Sequence, residues 1–151
     1  MFNLFKKRQN KLHHHQYKNL SIELPSHWKY ELEEGEQQSC YDPKSQSTLR
    51  INIIKAIPPQ QSDDEAIKAL TDNLPYVTTS KGYLLTNPTY FDTTENGINI
   101  TLVTWRLINH KTAQKIIAVL TYTVLSAEIN SAQEKEAISM IENSIQNADL
   151  E

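Results

Sequence analysis

Residues 97–125 read GINITLVTWRLINHKTAQKIIAVLTYTVL, two apolar segments joined by a polar turn around Asn109 and His110. Apolar residues occupy alternate positions along much of each segment, and they do so on both sides, a pattern typical of β-strands. In the first segment one side carries Ile98, Ile100, Leu102 and Ile108, and the other carries Val103, Trp105 and Leu107. In the second, one side carries Ile116, Ala118, Leu120, Tyr122 and Val124, and the other carries Ile117, Val119 and Leu125.

Strands that are apolar on both sides must be covered on both sides, because apolar surface left in water costs about 25 cal/mol per Å². The sequence therefore predicts a sheet with a layer on each face. Shorter alternating segments predict further strands at residues 20–24, 28–32, 37–41, 49–54 and 83–92. Asn96-Gly97 predicts a tight hairpin, because both residues tolerate positive φ.

Two helices are predicted from their starting signals and apolar stripes. Ser62 with Glu65, and Ser131 with Glu134, fit the capping box that begins a helix. The first helix must end close to Pro75, and the second runs to about Ala148. Strands joined by tight turns pair antiparallel, so the predicted class is α+β, an antiparallel sheet with helices covering its faces.

Composition sets broad limits on the class of protein. The chain has 151 residues, 38% of them hydrophobic and 22% charged, which suits one folded domain. Its single cysteine, Cys40, cannot form an internal disulfide, so we expect a cytoplasmic protein. The N-terminal apolar residues precede the basic ones, which is the reverse of a secretory signal, and no apolar run is long enough for stable insertion in a membrane.

Charge is distributed unevenly along the chain. Residues 1–30 carry six Lys or Arg and one Glu, a net +5, whereas the remainder carries nine basic and seventeen acidic residues, a net −8. An acidic body disfavours nucleic acid, whose binding depends on neutralising phosphates, and it suits a basic protein partner.

The first 16 residues are polar and basic, so we expect a flexible N-terminal tail followed by a single domain over residues 17–151. A less favoured interpretation attaches the tail to a membrane surface through Phe2, Leu4, Phe5 and Leu12. The adjacent histidines His13, His14 and His15 lack the spaced tetrahedral arrangement of structural zinc ligands. No metal or other cofactor is therefore expected.

A family resemblance follows from the order of these elements. The strand Leu20–Leu24 followed by Pro25-Ser26-His27-Trp28, then a helix, a three-strand meander and a closing helix with Met140-Ile141-Glu142-Asn143-Ser144-Ile145, resembles the PsbP-like superfamily. That superfamily includes the PsbP subunit of photosystem II, the Ran-binding Mog protein and bacterial DcrB-like proteins. The resemblance covers about residues 17–148. It implies an antiparallel sheet sandwiched between helices and a non-catalytic binding role, without naming a partner.

The leading functional hypothesis is thus a protein-binding module: an adaptor, a secretion chaperone or an immunity-type protein. Four carboxylates lie within six residues, at Glu31, Glu33, Glu34 and Glu36. They form either a solvated loop or an electrostatic contact site for a basic partner; catalysis by paired carboxylates is a third interpretation.

Two other functions are considered. One is a small-ligand binder with a pocket between sheet and helix near Trp28, Tyr30 and Tyr83. The other is a thiol hydrolase in which Cys40 pairs with His27 or His110, oriented by Asp42 or Asp92. The acidic neighbourhood of Cys40 works against thiolate formation. Arg106, set among apolar residues, either lays its stem along the surface or pairs with Asp92 or Glu95.

Overall fold

The computed structural model describes residues 11–57 and 62–151. Eleven strands and two helices make up the regular structure of these residues. The strands are β1 (Leu12–Tyr17), β2 (Leu20–Pro25), β3 (Lys29–Glu33), β4 (Gln37–Tyr41), β5 (Thr48–Ala56), β6 (Tyr76–Thr78), β7 (Leu84–Thr86), β8 (Thr89–Glu95), β9 (Ile98–Asn109), β10 (Lys115–Leu125) and β11 (Asp149–Leu150). The helices are α1 (Asp63–Thr71) and α2 (Ala132–Gln146), with a single helical turn at Ser126–Glu128.

The long strands β9 and β10 form the centre of an eight-stranded sheet, as the alternation in residues 97–125 predicts. They pair antiparallel from Ile116 opposite Asn109 to Leu125 opposite Ile100. Beyond β10 follow β5, β4 and β3, while the other edge of β9 is shared by β7 and β8, with β6 outside β7. All of these pairs are antiparallel, so the α+β class is confirmed.

One face of this sheet holds the main core. Trp105, Leu107 and Leu120 are completely buried there. The layer above it combines α2, through Ile141 and Ile145, with a separate three-stranded sheet in the order β1-β2-β11. The sequence predicts the helix and the strand β2 but not this second sheet, because β11 is only two residues long and β1 has no alternating pattern.

The opposite face is covered over only part of its area. Leu70 of α1 packs there with Leu84, Ile108 and Ile117, each less than 10% exposed. Away from α1 the same face carries polar side chains such as Thr121, Thr123 and Arg50, which are partly exposed. A helix on each face is therefore confirmed, but α1 is short and leaves part of its sheet face uncovered, where polar side chains are partly exposed.

The expected tail is wrong in its last five residues. Leu12–Gln16 belong to β1, which pairs antiparallel with β2 from Leu12 opposite Pro25 to Tyr17 opposite Leu20. This pairing gives the polar residues backbone hydrogen bonds that composition does not reveal. The rest of the predicted tail, including Phe2, Leu4 and Phe5, lies outside the described residues.

Helix and turn signals are reproduced in detail. The Ser62 hydroxyl accepts a hydrogen bond from the Glu65 amide at 3.2 Å, and α1 ends at Thr71 because Asp72 and Asn73 adopt positive φ. Asn96 and Gly97 also have positive φ, 52° and 79°, as the hairpin between β8 and β9 requires. Neither helix in the described part of the chain has the length and apolar character needed to cross a membrane.

Arg106 has a different partner from the acids predicted for it. Its guanidinium donates to the Leu70 carbonyl at 3.0 Å, in the last turn of α1. The Asp92 carboxylate instead accepts from the Thr101 hydroxyl at 2.7 Å. A cation at a helix C-terminus satisfies a free carbonyl and interacts favourably with the helix dipole, so Arg106 anchors α1 to the sheet.

Candidate functional site

A cleft of about 850 Å³ opens beside the first half of α2. The corner between β2 and β3 forms one wall, the loop between β4 and β5 forms a second, and α2 forms the third. The residues that line the cleft are Leu12, Pro25, Ser26, His27, Trp28, Asp42, Pro43, Lys44, Ser45, Tyr122, Gln133, Glu134, Glu136, Ala137 and Met140.

Apolar and aromatic side chains form the inner walls of the cleft. Trp28 is 8% exposed and Tyr122 is 3% exposed, and both belong to the main core. Met140 and Ala137 of α2 pack against the same core. The cleft is therefore backed by the rigid interior of the molecule.

Glu134 is the unusual residue of the cleft, because it is a carboxyl group that is only 6% exposed. Its Oε1 accepts a hydrogen bond from the Ser47 hydroxyl at 3.0 Å. Its Oε2 is buried and has no hydrogen-bond partner among the described residues. Leaving a buried polar group without a hydrogen bond costs about 1–3 kcal/mol, and more if the group is charged. The unpaired state of this oxygen therefore requires an explanation.

The capping box that predicts the start of α2 is only half formed. The Ser131 hydroxyl accepts from the Glu134 amide at 3.2 Å, but the Ser131 amide donates to the Glu128 carbonyl instead of to Glu134. The freed carboxyl group of Glu134 turns to Ser47. The sequence does contain a signal that Glu134 is buried: residue 134 falls on the same helical stripe as Ile138, Ile141 and Ile145.

Two further features shape the electrostatics of the cleft. The His27 Nε2 lies 3.3 Å from the Asp42 Oδ2, and both side chains are partly exposed. Burial raises the pKa of the Tyr122 hydroxyl, and the nearby Glu134 carboxyl group adds to the effect. The Tyr122 hydroxyl therefore lies against the Glu134 carboxyl group at the base of the cleft.

The four glutamates expected to form one contact site face different neighbours. Glu31 accepts from the Tyr41 hydroxyl at 2.6 Å, and Glu33 accepts from Gln37 at 2.7 Å and from Arg50 at 3.3 Å. Glu36 pairs with Lys18 at 3.1 Å, and Glu34 is exposed. The hydrogen bond from Gln37 lowers the pKa of Glu33, and Arg50 acts in the same direction. As a partner-binding surface these residues stay a prediction.

The three aromatic residues expected around a ligand pocket are not brought together. Trp28 lines the cleft, but Tyr30 and Tyr83 do not. Tyr30 stacks on His15, with ring centroids 3.7 Å apart, and burial raises the pKa of its hydroxyl to about 12. Tyr83 instead lies beneath the Lys111 ammonium, which is 5.2 Å from its ring centroid.

Cys40 is completely buried on β4, and its sulfur lies 3.9 Å from the Gln38 amide oxygen. Burial raises the pKa of the thiol to about 12, which opposes its use as a nucleophile. His27, one of its candidate partners, pairs with Asp42 instead. The structure thus places Cys40 as a small core residue.

The three histidines of β1 have separate surroundings. His14 bonds to Ser21 and His15 bonds to Gln38, so neighbouring rings point to different sides of the strand. Across residues 11–57 and 62–151, no group of three or more His, Cys, Asp or Glu side chains is placed to hold a metal ion.

Comparison with known proteins identifies similar folds. No family model and no curated protein matches the chain. A solved structure of a protein from Bacteroides thetaiotaomicron VPI-5482 matches with a TM-score of 0.62 and 18% identity, covering 95% of this chain and 49% of that one. This chain thus spans about half the length of that protein.

Two other solved structures are similar over nearly their whole length. LpqN, involved in cell envelope biogenesis of Mycobacterium tuberculosis, has a TM-score of 0.59 and 15% identity, covering 94% of this chain and 90% of its own. The Ran-binding protein Mog1p of Saccharomyces cerevisiae has a TM-score of 0.55 and 5% identity, covering 93% of this chain and 96% of its own. These similarities confirm that the chain shares the fold of Mog1p, a member of the superfamily that the sequence resembles.

Proposed function

We propose that this protein is a non-catalytic protein-binding module and that the cleft beside α2 is its binding site. The observation that carries the proposal is the pairing of an open cleft of about 850 Å³ with a buried carboxyl oxygen that has no partner among the described residues. Clefts that combine apolar walls with a few polar groups are typical of ligand sites, and a buried polar atom without a partner calls for an explanation.

The surroundings of the candidate nucleophile support a non-catalytic role. A hydrolase of the thiol type needs an ionisable, accessible sulfur beside an imidazole. Cys40 is buried, and the His27 side chain forms no hydrogen bond to a hydroxyl or thiol in the part of the chain that the structure describes. The pair His27–Asp42 therefore lacks the nucleophile that would make it catalytic.

Similar folds support a protein as the partner. Mog1p is a Ran-binding protein, and its fold matches this chain with a TM-score of 0.55. Adaptor, secretion chaperone and immunity-type protein are the specific roles that we consider. The cytoplasmic location stays a prediction that rests on the single cysteine, and LpqN, which is involved in cell envelope biogenesis, does not support it.

A small-ligand binder is the second candidate, and the size of the cleft favours it. Pockets for small molecules measure about 300–1,000 Å³ and combine apolar walls with a few polar groups. The cleft has this volume, with Trp28 and Met140 as apolar wall residues and Glu134 as a polar one.

The cleft proposal is tested by blocking the site. Gln133→Trp and Glu136→Trp each place an indole on an exposed cleft position of α2, whereas Ser139→Trp adds the same group to an exposed position of α2 outside the cleft. The full chain and each variant are immobilised and exposed to a lysate of the source organism, and the bound proteins are quantified by mass spectrometry.

We expect one protein to be enriched by the wild type and by Ser139→Trp, and to fall at least about tenfold with Gln133→Trp and Glu136→Trp. If the wild type and the three variants captured this protein equally, the cleft would not be the protein-binding site. A thermal-shift screen against small molecules examines the second candidate, since a ligand at 100 times its Kd stabilises by about 2.7 kcal/mol.

A further inference from the structure

We infer that the cleft selects an organic cation, an ammonium or guanidinium group, and that Glu134 is the residue that binds it. This inference rests on the proposed function and specifies the chemistry of its ligand. It stands on three features of the cleft: the unpartnered oxygen of Glu134, the balance of charges on the lining, and the aromatic walls.

The Oε2 of Glu134 requires a hydrogen-bond donor. Glu134 is 6% exposed, and among the described residues a hydrogen bond of normal geometry reaches only its other oxygen, from Ser47. The Tyr122 hydroxyl is the other polar group beside this carboxyl group. A ligand that donates an N–H to Oε2 would complete the group without disturbing the Ser47 contact. Charge-assisted hydrogen bonds of this kind are stronger than neutral ones.

The charges on the cleft lining favour a positive ligand. Three carboxyl groups line it, from Asp42, Glu134 and Glu136, against the ammonium of Lys44 and the imidazole of His27. The imidazole is held at 3.3 Å from Asp42. Acidic side chains thus outnumber basic ones on the lining, so an anionic ligand would be repelled and a cation attracted.

The aromatic walls complete the requirements for an organic cation. Trp28 and Tyr122 line the cleft together with Met140. A cation beside an aromatic ring is stabilised by the ring quadrupole, and an alkyl stem gains by contact with apolar side chains. A metal ion does not fit, because no cluster of three or more His, Cys, Asp or Glu ligands occurs among the residues described.

Two sources could supply this cation: a lysine or arginine side chain of a partner polypeptide, or a free alkylamine. The probes are therefore the tripeptides Gly-Lys-Gly and Gly-Arg-Gly, blocked at both ends, and n-butylamine. The matched neutral probe is blocked Gly-norleucine-Gly, which keeps the alkyl stem and lacks the charge. Binding to the full chain is measured by NMR titration at constant ionic strength.

We expect the lysine or arginine tripeptide to bind at least about tenfold more tightly than the norleucine tripeptide. Glu134→Gln preserves the shape of the side chain and should remove this preference, whereas Glu142→Gln, on the same helix and outside the cleft, should keep it. If n-butylamine bound more tightly than either tripeptide, the ligand of the cleft would be a free alkylamine and not a side chain of a partner polypeptide.

Equal binding of charged and neutral tripeptides by the wild type, or no binding of any cation, would overturn the inference, and this result does not depend on the folding of a variant. Retention of the cation preference in a folded Glu134→Gln variant would also overturn it. The proposed function fails separately, if Gln133→Trp leaves partner capture unchanged. If Gln133→Trp abolishes partner capture but the wild type shows no preference for cations, the cleft remains the proposed binding site and the claim that its ligand is a cation is wrong.

Discussion

Ser47 and Glu134 form the buried polar pair on which the site depends. They are 87 residues apart in sequence and join the loop before β5 to the start of α2. Their hydrogen bond satisfies one oxygen of the carboxyl group, and the second oxygen has no hydrogen-bond partner of normal geometry among the described residues. A buried polar pair of this kind is costly to break, since the remaining partner loses its compensation for burial.

We expect Ser47→Ala to lower the free energy of unfolding by about 1–3 kcal/mol, because the buried Glu134 carboxyl group then loses the hydrogen bond from Ser47. Urea denaturation followed by circular dichroism measures the change. Ser139→Ala, at an exposed position of α2, is the control and should stay within about 0.5 kcal/mol of the wild type. A Ser47→Ala variant as stable as this control would contradict the contact.

A second prediction for a single residue concerns Glu33 and the pH dependence of stability. The Gln37 hydrogen bond and the Arg50 guanidinium lower its pKa. A carboxyl group with a lowered pKa in the folded state stabilises the protein above its unfolded pKa, and this stabilisation is lost as the pH falls through the folded-state value. The side chain is 33% exposed, so solvent screening keeps the contribution small.

We therefore expect the stability difference between the wild type and Glu33→Gln to be largest above about pH 5 and to shrink as the pH falls towards about 3. Denaturation midpoints measured across this range give the difference. Glu34→Gln, at an exposed site that forms no hydrogen bond with the described residues, serves as the matched control and should show no such trend. A difference that grows at low pH would contradict the assigned contacts.

Helix α1 is held in place by contacts between secondary-structure elements. The helix is nine residues long, it covers one end of its sheet face, and Arg106 of β9 donates to its last turn. Short helices are marginal in isolation, so tertiary contacts supply most of their stability. Arg106 is then a positioning residue for α1 as well as a sheet residue.

We expect Arg106→Met, which keeps the apolar stem, to destabilise the protein by about 1 kcal/mol and to speed amide hydrogen exchange across residues 63–71. Lys29→Met, at an exposed position of the edge strand β3 and remote from the strands β7, β9 and β10 that α1 covers, is the comparison and should leave exchange in α1 unchanged. Unaltered protection of α1 in Arg106→Met would show that the guanidinium contact does not hold the helix.

Elements with a strong local signal could be predicted from the sequence, and those defined by distant pairing could not. The alternation in β9 and β10, the Asn96-Gly97 turn and the serine caps are local, and the structure reproduces them. The strand β1 is polar and gains its place only by pairing with β2, so the sequence suggested a tail instead. The sequence predicts Glu134 only as part of a helix cap, because its contact with Ser47 depends on the fold.

The described residues form a main core, a smaller apolar cluster beneath α1, a partly open sheet face and a cleft beside α2. The cleft lies where the closing helix, the second sheet and the loop between β4 and β5 come together, so residues far apart in sequence form it. The acidic segment at residues 31–36 lies outside that lining, and three of its four carboxylates already have partners. We therefore propose the cleft as the place where a partner binds, and the acidic segment stays a prediction.

The most direct test is an NMR map of the amide shifts of the full chain on titration with blocked Gly-Lys-Gly. We predict saturable shifts concentrated at residues 26–28, 42–47 and 133–140, which surround the cleft, with little change at residues 31–36. Shifts concentrated at residues 31–36, or none that saturate, would contradict the claim that the cleft is the binding site for a cationic group.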